Sequence, residues 1–103
     1  MIQLQRDRVA VRWPIHYERL SLGQWSDLKE ALCVNVGAHG MLLLLNEFIE
    51  TDEILRLHMR DANRGLPFTL AKVRWSQPTR AELHVEILAG IEYLEEHDAV
   101  ECF

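Results

Sequence analysis

Apolar and polar residues alternate along much of this chain with a period of two. Val9, Val11, Trp13, Ile15 and Tyr17 share one parity, and Ala10, Arg12, Pro14, His16 and Glu18 share the other. β-Branched and aromatic residues on one face, opposite polar ones, predict a half-buried strand. Pro14 has no N–H to give to a ladder, which favours an edge position or a bulge. Arg8 and Arg12 have the same parity. Early pairing would project both from the polar side; later pairing would leave Arg8 on a flexible arm.

Residues 21–27, with Gly23 among them, read as a turn, and residues 28–36 as a second strand. The run Asn35-Val36-Gly37-Ala38-His39-Gly40 holds two glycines and an asparagine, so the chain turns sharply there. Residues 41–45 are the longest aliphatic run and predict a third, buried strand. A polar connection follows over 46–52, then alternation returns over 54–59. Residues 61–65 and 76–79 read as turns. Between them, Phe68 and Leu70 lie on one parity and Ala71, Val73 and Trp75 on the other, which predicts a β-bulge near Leu70 and Ala71.

Residues 81–93 fit two periods. Leu83, Val85, Ile87, Ala89, Ile91 and Tyr93 alternate strictly, while Leu83, Ile87, Ile91 and Leu94 also form a helical stripe. Gly90 disfavours a helix interior, so the expectation is a strand. Beyond Leu94 the chain is acidic and polar, and a short C-terminal helix or a frayed tail is expected. Five to seven short strands separated by turns predict an all-β sandwich or small barrel.

Composition narrows the class. The chain has 103 residues, 49% apolar and 26% charged, which suits one globular domain. Its longest apolar run is far short of the ~18–20 residues that span a bilayer. Residues 1–30 lack the layout of a signal peptide, so a cytoplasmic protein is expected, without membrane insertion. Cys33 reads as a small core residue and Cys102 as a free thiol; neither has a partner at metal-ligand spacing.

The net charge of −5 is unevenly spread. Residues 81–103 hold seven acidic side chains and no basic ones; the first 80 residues carry all 11 basic groups and a net charge of +2. This balance argues against non-specific nucleic-acid binding and leaves room for a compact anion site near the N-terminus. No nucleophile–base signature, metal motif or phosphate-cradling loop of the GxxxxGK[ST] type occurs, so no enzyme, metal or cofactor is expected.

Two clusters remain: Arg8-Val9-Ala10-Val11-Arg12, and the Asn35 to Gly40 run. In order and spacing they resemble the RxxxR and (D/N)xSxxG motifs of PilZ domains, which bind cyclic di-GMP. Leu70-Ala71-Lys72-Val73-Arg74-Trp75 and Gly90-Ile91-Glu92-Tyr93-Leu94 resemble two later strands of that family. The likeness covers roughly residues 6–94. It implies a six-stranded antiparallel barrel over 13–94, a flexible arm over 1–12 and an acidic tail over 95–103. It also implies a ligand site of Arg8, Arg12, Asn35, Gly37 and Gly40, with Arg6, His39 and Trp75 as further candidates. The chain departs from the motif at Gly37, where the family has serine.

The residue types suit that ligand. Arginine pairs with phosphate through two charge-assisted bonds and stacks its planar guanidinium on guanine. An asparagine oxygen accepts from guanine N–H groups. Losing the serine hydroxyl costs ~0.5–1.5 kcal/mol, about tenfold in affinity. Two readings follow: a cyclic di-GMP receptor acting through an effector protein, or a PilZ-like adaptor that binds no nucleotide and works through protein partners. Oligomeric state is left open.

Overall fold

In a computed structural model of the chain, residues 8–58, 68–80 and 83–94 are described. They form seven strands and no helix: β1 (Arg8–Ser21), β2 (Gln24–Trp25), β3 (Lys29–Gly37), β4 (Gly40–Leu45), β5 (Ile54–His58), β6 (Thr69–Pro78) and β7 (Ile87–Tyr93). All pairings are antiparallel, in the order β2-β1-β3-β4-β7-β6-β5. β1 also pairs with β5, from His16↔His58 to Arg19↔Leu55. That pairing closes six of the strands into a barrel, with β2 as a short flap on β1. Closure removes the unpaired edges that an open sheet would expose.

Alternation fills the interior. Ile15 and Tyr17 of β1, Ala31 and Cys33 of β3, and Met41, Leu43 and Leu45 of β4 point inward. Leu55 and Leu57 of β5, Ala71 and Val73 of β6, and Ile87, Ala89 and Ile91 of β7 complete the core. Each fully buried Leu or Ile contributes about 1.5–3 kcal/mol relative to exposure. Burial also pushes the Cys33 thiol pKa up, so this cysteine is an inert packing residue.

Several expected boundaries move, for reasons of pairing. β1 is laddered to β3 from Arg8↔Gly37 onward, so the arm expected over 1–12 gives way to strand from Arg8. Residues 21–27 contain a two-residue hairpin instead of a plain turn: Leu22 and Gly23 have φ of 51° and 79°, the signature of a type I′ turn. β6 runs on to Pro78 because Pro78 pairs with Ile87. β7 begins at that same pair; the alternation at Leu83 and Val85 continues past the last partner and leaves both exposed. The bulge on β6 lies between Val73 and Trp75, not near Leu70 and Ala71. Phe68 and Leu70 are outer-face residues, Phe68 beside Arg56 and His58 and Leu70 opposite Arg56, so the strand keeps one phase through Ala71 and Val73. The possible C-terminal helix and the acidic tail fall outside the described residues.

One end of the barrel is closed by charge. Arg19 donates to Glu53 at 2.9 and 2.5 Å and to Glu47 at 3.0 Å, and the buried Tyr17 hydroxyl donates to Glu47. Burial, reinforced by that bond, raises the Tyr17 pKa. Burial would also raise Glu53, but Arg19 and the Glu50 N–H hold its carboxyl below the usual range.

Candidate functional site

The opposite end carries the motif residues. Arg8 stands opposite Gly37, and Ala10 opposite Asn35, in the β1–β3 ladder. The Arg8 guanidinium donates to Asn35 Oδ1 at 3.3 Å. Arg12 is exposed and makes no hydrogen bond or ion pair among the described residues. It sits in an irregularity between Ala10 and Trp13, where β1 carries one residue more than β3. Arg6 lies outside the described residues.

Asn35 reaches the outside because of a second bulge. Cys33 pairs with Leu43 and Asn35 with Leu42, so β3 spends two residues where β4 spends one. In a regular strand Asn35, two residues after Cys33, would share its inward parity. The bulge turns it to the outer face, where Arg8 meets it. A weak Cys33 Sγ–H bond to the Asn35 carbonyl, at 3.4 Å, spans the bulge.

The β6 bulge does the same for Trp75. Val73 faces inward against Ile91; after the extra residue Arg74, Trp75 pairs with Gly90 on the outside. Leu42 also pairs with Gly90. Asn35, Leu42, Gly90 and Trp75 therefore form one row across the outer face of β3, β4, β7 and β6, its two ends re-aimed by bulges. The Trp75 ring leans over Gly90 and is 41% exposed. The half-buried Leu42 is the open position of the row, between Asn35 at the polar end and the indole that covers Gly90 at the aromatic end.

The loop from Gly37 to Gly40 closes this end. Gly40 is buried and pairs with Glu92; a Cβ there would lie 1.9 Å from the Ile91 carbonyl oxygen. Its lack of a side chain serves close approach of β4 to β7. His39 is exposed, and its carbonyl accepts from the Tyr93 N–H at 2.9 Å. Gly37 ends β3, half-buried, opposite Arg8.

The structure thus brings Arg8, Asn35, Gly37 and Gly40 to one barrel end and sets Trp75 three strands from Asn35. Pattern reading missed Arg74, whose Nη1 lies 2.9 Å from Glu92 Oε1. It also missed Leu42 and Gly90, the two residues between Asn35 and Trp75 in the row. Parity turns Leu42 and Gly90 outward, but only register with the bulged strands β3 and β6 sets them between Asn35 and Trp75, and Arg74 is itself the bulge residue. Among the described residues, no three His, Cys, Asp or Glu side chains are placed to hold a metal ion. Nor is any helix of the described residues long and apolar enough to cross a membrane.

The sequence matches no protein-family model, and no curated protein shows detectable similarity to it.

Proposed function

We propose that this barrel is a cyclic di-GMP receptor module, which binds rather than catalyses and passes the signal to an effector protein. The observation that carries the reading is the meeting of Arg8 and Asn35. They are 27 residues apart, belong to two motifs of complementary chemistry, and share a hydrogen bond on the outer face. The Arg8–Asn35 bond is long and exposed, so it exchanges readily for ligand contacts. Arg8 and Arg12 supply the cations for phosphate and for stacking on guanine. Asn35 supplies an acceptor for guanine N–H groups. Trp75, lying over Gly90, offers an aromatic face on the far side of Leu42, suited to a base.

Gly37 favours a second reading. With no hydroxyl at that position, the site has one polar contact fewer, and the barrel would serve as an adaptor that recognises proteins without nucleotide. Calorimetric titration with cyclic di-GMP separates the two. The receptor reading expects micromolar or tighter binding, lost in an Arg8→Ala, Arg12→Ala double variant. A folded protein that gives no heat up to high micromolar ligand would overturn the receptor reading and turn the search to protein partners.

A further inference from the structure

We infer that Arg74 is a third anion-binding arginine of this site, held by Glu92 until a nucleotide phosphate displaces the carboxylate. This rests on the receptor reading above. Three observations carry it. First, Arg74 is the extra residue of the β6 bulge, beside Trp75 at the aromatic end of the row. Second, its guanidinium is directed to β7, where Nη1 meets Glu92 Oε1 at 2.9 Å, and Glu92 is the register partner of Gly40. Third, both side chains are exposed, at 58% and 42%, so the pair is solvent-screened and weak.

Geometry makes the exchange reasonable. Asn35, which holds Arg8, and Glu92, which holds Arg74, are separated by the one strand β4. Two strand spacings and two residues of rise put them about 12 Å apart. A dinucleotide laid across Leu42, between Asn35 and the Trp75 ring that covers Gly90, would thus have a guanidinium at each flank. A phosphodiester shares one charge over two oxygens and can meet Arg74 through both, in the fork geometry that guanidinium prefers, where Glu92 meets it through one. Glu92 itself opposes any anion in this place, because like charges repel at short range. It lowers affinity and selects ligands whose phosphates can reach Arg74.

The test is calorimetry with cyclic di-GMP on the wild-type protein, Arg74→Ala and Glu92→Gln, each first shown folded by circular dichroism. Arg74→Ala should weaken binding about tenfold or more, the loss of one charge-assisted contact. Glu92→Gln should tighten it, by about threefold or more at low salt, with the gain shrinking as salt rises. Wild-type binding that is unchanged in Arg74→Ala would overturn this inference and leave the receptor reading standing. Glu92→Gln binding no tighter than wild type would overturn the restraint assigned to Glu92. Absence of wild-type binding would overturn both readings together.

Discussion

The indole of Trp75 fills the space that a side chain at position 90 would need: a Cβ on Gly90 would lie 2.4 Å from Nε1 and 2.5 Å from Cε2. The tryptophan is only partly exposed because the glycine lets it lie flat on β7, covering bare backbone in a strand interior. The pair fixes the aromatic end of the proposed site, and its energetics can be read directly.

Gly90→Ala should push the indole off the strand and cost about 1–3 kcal/mol, the usual range for overpacking. In a Trp75→Ala background the same substitution should cost much less, since no ring then stands in the way. Urea denaturation of the four proteins gives the coupling. Additive costs would show that the ring does not rest on Gly90 in solution.

Gly40→Ala should be more damaging. Its Cβ would meet a backbone oxygen of β7 at 1.9 Å, where no side chain can swing aside. A loss of about 3 kcal/mol or more is expected, seen as a large drop in Tm. A Tm within a few degrees of wild type would mean that β7 shifts at little cost. Lost ligand binding in this variant would report on the fold before the site.

Acid should weaken the barrel through Glu18. Arg56 donates to its carboxylate at 2.7 and 3.1 Å, and His58 Nε2 lies 2.6 Å from Oε1. These bonds, Arg56 first, hold the Glu18 pKa at about 2, below its ordinary 4.5. A folded pKa below the unfolded one adds stability that is complete above the unfolded value and lost as pH falls through the folded value. The loss should therefore run from about pH 4.5 down to about 2. Tm measured against pH should fall more gently over that window in Glu18→Gln, from a lower starting value at neutral pH. Parallel curves would place the acid sensitivity elsewhere.

Leu22→Gly should stabilise the protein. Leu22 has a φ of 51° at the hairpin tip and is fully exposed, so it carries left-handed strain and buries nothing. Relief of about 1 kcal/mol is expected, because glycine adopts this conformation freely while losing more entropy on folding. Chemical denaturation measures it. A destabilised variant would show that the leucine makes contacts that its exposure conceals.

Much of the barrel was legible in the chain. The inward residues of β4 and β7 follow parity alone, because a strand buried on one face must repeat every second residue. Of the five apolar residues alternating on β1, Ile15 and Tyr17 are buried, while Val9 and Trp13 lie exposed toward its start. The double apolar character of residues 41–45 marks β4 as a central strand with Leu42 and Leu44 half-buried outside. The turn expected over Asn35–Gly40 narrows to Ala38 and His39, because β3 stays paired through Gly37 and β4 begins at Gly40.

What the sequence alone determined was the all-β class, the inward faces of most strands and the residue types of the proposed anion site. These depend on local periodicity and side-chain chemistry, which any short window contains. Only the tertiary structure decided barrel closure, the strand ends and the bulges at Val34 and Arg74. Those follow from which partner strand lies alongside and where its hydrogen-bonding groups run out. A one-residue slip reverses a side chain's face. The outward aim of Asn35 and Trp75, and the pairing of Arg8 with Asn35 and Arg74 with Glu92, thus follow from register between distant segments, which no local pattern encodes.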